Sequence, residues 1–63
     1  MRGIVNAYNG EYGTIVTKDD LVIDFSKEDI SFNKKINVGD FVEFRLEERF
    51  PDIKLAKNII IIK

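Results

Sequence analysis

Hydrophobic and polar positions alternate in short runs along the chain, and no long stretch keeps a helical period, so the pattern is that of strands. The first run, Ile4 to Asn9, ends in Asn9-Gly10. After Glu11 it is answered by Tyr12-Gly13-Thr14-Ile15-Val16-Thr17, which predicts a hairpin around a glycine turn. Lys18-Asp19-Asp20 forms the next turn, because Asp bonds its own backbone and tolerates tight conformations, and Leu21 to Phe25 supplies a third strand. Ser26 followed by Asp29 has the spacing of a cap for a single helical turn. Residues 31–39 are polar and close on Val38-Gly39-Asp40. From Phe41 to Glu47 the alternation is clearest, with Val42, Phe44 and Leu46 on one face and Glu43, Arg45 and Glu47 on the other. Phe50-Pro51-Asp52 interrupts it, since proline has no place inside a paired strand, and a last strand runs from about Ile53 to Ile62.

Five strands in 63 residues predict a five-stranded antiparallel Greek-key barrel with one short helical turn after strand three. A flat meander of the same strands would leave two edges unpaired. A chain this short supports one core, so residues 1–63 are expected to form a single domain. With no cysteine and no histidine, that core depends on packing alone. The longest apolar run, Ile59 to Ile62, is far short of the roughly 20 residues that span a bilayer. The first residues carry no apolar stretch of secretory length, and a cytoplasmic location is the expectation.

The same absences bear on chemistry. Without His or Cys the commonest general base and the strongest nucleophile are missing, and no glycine-rich phosphate cradle occurs. The expectation is a binding domain, not an enzyme, with no cofactor and no metal. Asp19 and Asp20 read as turn formers, because a hard cation needs several more oxygen ligands. Ten basic against eleven acidic residues give a net charge of −1, which speaks against a strong grip on phosphates. Lys18, Lys27, Lys34 and Lys35 form either a phosphate-tracking rim or a set of solvated loop charges. Ile59 to Ile62 is apolar on both faces and suggests weak self-association through that edge, with Lys57 and Lys63 as gatekeepers at its ends.

Gly3-x-Val5-x-x-Tyr8-Asn9 is similar to the G-x-V-x-W-F-N opening of bacterial cold-shock proteins, and Tyr12-Gly13-Thr14-Ile15 falls where that family has F-G-F-I. Leu21-Val22-Ile23-Asp24-Phe25-Ser26 resembles V-F-V-H-F-S, Val38-Gly39-Asp40-x-Val42-x-Phe44 resembles E-G-x-x-V-x-F, and Ala56-Lys57-Asn58-Ile59 resembles A-A-N-V. The resemblance covers nearly the whole chain in the right order. It implies a cold-shock-like barrel of the oligonucleotide-binding (OB) fold that binds single-stranded RNA or DNA, of RNA-chaperone or transcription- or translation-regulator type. In such domains bases stack on aromatic side chains of the first three strands. Here Ala7 stands in place of a tryptophan, Thr14 and Val22 in place of aromatics, and Asp24 in place of a histidine. The first hairpin loop is about two residues shorter than the family pattern, with Gly10 in place of its lysine.

What the resemblance leaves for a binding site is stacking on Tyr8, Tyr12, Phe25 and Phe32, with the backbone held by Lys27, Lys34 and Lys35. Each ring has an ordinary alternative: Tyr12 and Phe25 as barrel residues, Tyr8 as packing beside a turn, Phe32 as a core plug. Asp24 repels phosphate, so binding is expected to be weak and of low sequence selectivity. The alternative is a diverged barrel that serves as a protein–protein interaction module. A translation-factor-like barrel of the same fold is a further variant, which the sequence does not separate from the first.

Overall fold

The computed structural model describes residues 1–62; Lys63 lies outside the described residues. Five strands form: β1 (Arg2–Tyr8), β2 (Tyr12–Val16), β3 (Val22–Ser26), β4 (Phe41–Arg49) and β5 (Ile53–Ile61). They close into a barrel in the order β1-β2-β3-β5-β4, with β4 returning to β1. Closure gives every strand two neighbours, although β3 and β5 meet at one residue pair only.

Four of the neighbouring pairs are antiparallel, but β3 and β5 run parallel, with Asp24 opposite Leu55. The expectation of an all-antiparallel barrel is therefore corrected, and the reason is parity. Strand directions cannot alternate all the way round a ring with an odd number of members, so at least one neighbouring pair must be parallel. The single helical turn expected after strand three is also corrected, to two consecutive 3-10 turns, Lys27–Asp29 and Ser31–Asn33. Because β3 and β4 are not neighbours, their connection must cross a barrel end. It does so by burying Ile30, which bridges Ile59, and Ile36, which is only 2% exposed despite its polar neighbours.

The core holds Val5, Ile15, Ile23, Phe25, Val42, Phe44, Ala56 and Ile59 from the strands. Burying each large aliphatic side chain contributes about 1.5–3 kcal/mol, against a total stability of roughly 3–9 kcal/mol for a domain of this size. Each core residue is thus individually consequential. Two bulges adjust which side chains reach that core. In β1 the register steps between Val5, opposite Ile15, and Ala7, opposite Thr14. The step turns Ala7 outward and brings Tyr8 against the core. In β5 the register steps where Asn58 adopts a left-handed backbone (φ 54°), so that Ala56 and Ile59, three apart, are both buried.

Gly13 is where β2 must lack a side chain. A Cβ there would lie 2.6 Å from Phe25 Cζ and press on the Ala7 carbonyl oxygen. Among the described residues no helix is long and apolar enough to cross a membrane.

Candidate functional site

The end of β1, the start of β2 and the end of β3 meet at one end of the barrel. Tyr8 stands opposite Gly13, and Tyr12 opposite Ser26. The hairpin joining β1 to β2 is fixed by Asn9, whose Oδ1 accepts hydrogen bonds from the backbone N–H groups of Glu11 and Tyr12, both at 2.9 Å. Gly10 takes the positive φ of 96° that this tight turn requires. Tyr12 is thereby held on the outer surface, 68% exposed.

Immediately beside it, the Lys27 N–H donates to the Glu11 carbonyl at 2.8 Å, and Lys27 Nζ lies 3.4 Å from Glu11 Oε1. Glu11 therefore both anchors the β3 exit and offsets the charge of Lys27. The sequence reading gave Glu11 no role, and only its place in the Asn9-Gly10 turn hinted at one. Past the first 3-10 turn, Phe32 adopts a left-handed backbone (φ 63°, ψ 20°) and is 79% exposed. A bulky residue in that region costs on the order of 1–3 kcal/mol and is held only by its surroundings. The plugging role considered for Phe32 is taken by Ile30 and Ile36 instead.

Lys34 and Lys35 follow, both exposed and without an ion pair among the described residues. Lys35 joins Tyr8, Gly10, Ile36, Asn37 and Val38 around a groove of about 440 Å³. Two of the expected site residues, Tyr8 and Lys35, are thus brought to one concavity. Tyr12 and Lys27 stand beside the same hairpin.

Phe25 behaves differently. It is 3% exposed and belongs to the core, with the Tyr8 ring stacked on it at a centroid distance of 5.4 Å and an interplanar angle of 27°. Its ring supports Tyr8 from beneath and shows no free face to a ligand. Alternation explains this, since Ile23 and Phe25 point inward while Val22 and Asp24 point outward. On the outer wall, Ala7, Thr14 and Asp24 stand opposite one another in a row across three strands. This row carries no ring and one exposed carboxylate. On strands one to three the exposed aromatic surface is accordingly confined to the barrel end.

A partly buried ion pair anchors that end to β5. Lys57 Nζ donates to Asp29 Oδ1 at 2.9 Å, while Asp29 Oδ2 accepts from the Ser26 N–H at 2.9 Å and the Ser26 hydroxyl at 3.2 Å. Burial alone would raise the Asp29 pKa. The Ser26 N–H, the Lys57 ammonium and the Ser26 hydroxyl outweigh it and hold the carboxyl below its ordinary value. The spacing of Ser26 and Asp29 gave this cap; the reach of Lys57 from β5 required the fold.

At the other expected contact, Ile59 is fully buried and bridged to Ile30, so Ile59 to Ile62 does not present a continuous apolar edge, although Ile60 faces outward. Comparison of the chain with protein-family models and with curated proteins finds no match.

Proposed function

We propose that this chain binds single-stranded nucleic acid, weakly and with low sequence selectivity, on a cold-shock-like barrel of the OB type. The observation that carries the reading is that the β3–β4 connection, which bears exposed Phe32 and Lys34, brings Lys35 to the groove of Tyr8 and Gly10 at the first hairpin, whose Tyr12 is exposed. A strand order of β1-β2-β3-β5-β4 with β3 parallel to β5 supports the OB assignment, a fold in which the first hairpin loop is among the segments that bind oligonucleotides. In this reading two bases stack on Tyr12 and Phe32, and Tyr8, backed by Phe25, lines the groove in which Lys35 meets a phosphate. Lys34 holds the neighbouring phosphate, and Lys27 contributes as it exchanges Glu11 for the ligand. The Ala7–Thr14–Asp24 row keeps the strand to the barrel end, because the Asp24 carboxylate repels phosphate.

Contacts from two to three lysines imply a modest salt dependence. At a slope of about −0.7 per phosphate on single strands, affinity falls about 7- to 20-fold from 50 to 200 mM salt. The test is fluorescence anisotropy with an oligo-uridine or oligo-thymidine strand at low salt. Tyr12→Ala and Phe32→Ala should each weaken binding by about 5- to 150-fold, the range for removing one stacking ring. Both rings are exposed, so the variants keep the fold. Unchanged affinity in the double variant overturns the proposal. RNA-chaperone or regulatory action follows from such binding only as a consequence of low-selectivity contact with unpaired strands.

A further inference from the structure

Five asparagines are spread along the chain, and four of them precede a residue whose side chain crowds the next backbone nitrogen: Ala7, Lys34, Val38 and Ile59. Asn9 alone precedes glycine. The Asn9-Gly10 pair lies between β1 and β2, outside the strand ladder, and both residues are exposed. Asparagine is a chemically labile residue. Its carboxamide carbon and the following backbone nitrogen are spaced to close a five-membered ring, and a glycine at the second position leaves that approach unhindered.

Three features of this hairpin favour the closure. The nucleophile is open: the Gly10 N–H has no hydrogen-bond partner among the described residues, and a Cβ built on Gly10 would meet nothing within 4 Å. The electrophile is polarised, because Asn9 Oδ1 accepts from the backbone N–H groups of Glu11 and Tyr12, both at 2.9 Å. Two donors at that distance on one carbonyl oxygen form an oxyanion hole, and Oδ1 is the atom that takes up negative charge when Cγ is attacked. The leaving group is free, since Asn9 Nδ2 donates to no protein group among the described residues and water has access to it.

We infer that Asn9 is a site of spontaneous covalent modification, losing its carboxamide through cyclisation onto Gly10. Hydroxide takes the Gly10 amide proton, and the nitrogen attacks Asn9 Cγ. A bond forms between Gly10 N and Cγ as the bond from Cγ to Nδ2 breaks, and ammonia leaves with a proton from water, which restores the hydroxide. Water then opens the cyclic imide. Addition at Cγ leaves aspartate, and addition at the main-chain carbonyl carbon of residue 9 leaves isoaspartate, in which the chain runs through the side chain. Nothing is oxidised or reduced; one water is consumed and one ammonia released. Either product adds one negative charge to the net −1 of the chain, next to Glu11 and between Tyr8 and Tyr12 in sequence. Isoaspartate also lengthens the backbone by one carbon, which breaks the spacing that lets residue 9 accept from Glu11 and Tyr12. The modification goes beyond the nucleic-acid reading and does not rest on it.

The experiment incubates the folded wild type in mildly alkaline buffer, well below its melting temperature, and follows it by tryptic digestion and tandem mass spectrometry. The free tryptic peptide 3–18, which holds Asn6 and Asn9, is incubated alongside as the unfolded reference. The acid should appear at residue 9, as a mixture of aspartate and isoaspartate, while residues 6, 33, 37 and 58 stay amides. In the folded chain it should form at least as fast as in the peptide, because both N–H groups are in place before the attack. Gly10→Ala should slow the conversion by placing a methyl group beside the nitrogen. Where the positive φ of 96° at that position keeps the variant from folding, the same substitution in the peptide makes the comparison. Conversion slower in the folded chain than in the peptide overturns the inference, because the turn then shields Asn9. So does earlier conversion at any other asparagine.

Discussion

Replacing Asp29 with alanine removes three interactions at once: the Ser26 N–H at 2.9 Å, the Ser26 hydroxyl at 3.2 Å and the Lys57 ammonium at 2.9 Å. Loss of a capping acceptor of this type costs about 0.5–2 kcal/mol. Breaking a fully buried ion pair costs about 3–5 kcal/mol and an exposed one at most about 1 kcal/mol. The Asp29 and Lys57 side chains are 10% and 28% exposed, so their pair falls between those limits. After discounting for solvent screening it contributes about 1–2 kcal/mol. The sum, about 1.5–4 kcal/mol, is a large part of the roughly 3–9 kcal/mol that holds a domain of this size. At about 4–8 °C per kcal/mol, Asp29→Ala should lower the melting temperature by about 6–30 °C at neutral pH.

The pH dependence has a fixed sign. A carboxyl held below its ordinary value of 3.8 stabilises the folded state fully above that value, and the contribution is lost as pH falls through the lower folded-state value. The difference in melting temperature between wild type and variant should therefore be full-sized at neutral pH and shrink in acid below 3.8. Thermal melts followed by circular dichroism at a series of pH values measure both effects. A loss smaller than about 3 °C at neutral pH, or a difference that persists unchanged in acid, refutes the reasoning.

Gly13→Ala should destabilise by about 2–3 kcal/mol or prevent folding, because its Cβ would meet Phe25 Cζ at 2.6 Å as well as a backbone carbonyl; urea unfolding measures this. Phe25→Ala should cost about 3–5 kcal/mol in the same assay, as expected of an emptied core position and not of an exposed ligand contact. Asp24→Asn should raise oligonucleotide affinity about two- to fivefold at low salt by removing one repulsive charge; anisotropy titration shows whether it does.

Much of this architecture was written in local patterns. Alternation from Phe41 to Glu47 put Val42 and Phe44 inside, Asn9-Gly10 gave the first hairpin, and Ser26 with Asp29 gave the cap. What escaped the sequence depends on partners distant along the chain. The parallel β3–β5 pair follows from closing an odd number of strands, which is a property of the ring and of no single segment. The bulge between Val5 and Ala7 leaves no residue signature, yet it sends Tyr8 toward Phe25 and Ala7 to the surface. Ile36 sits among polar residues, and only the route of the β3–β4 connection across the barrel end makes it core. At the candidate site the exposed rings Tyr12 and Phe32 and the lysines at 34 and 35 were legible by residue type. The inward direction of Phe25 and the tie between Lys27 and Glu11 were not, because both depend on the register of β2 against β3.

The central claim is most directly tested by an amide chemical-shift titration of the labelled protein with a short oligo-uridine or oligo-thymidine strand, at low and near-physiological salt. The account expects shifts confined to the first hairpin from Tyr8 to Gly13 and to the Lys27 to Val38 connection, diminishing as salt rises. Absence of shifts at both salts, or shifts confined to residues outside these two segments, would contradict it.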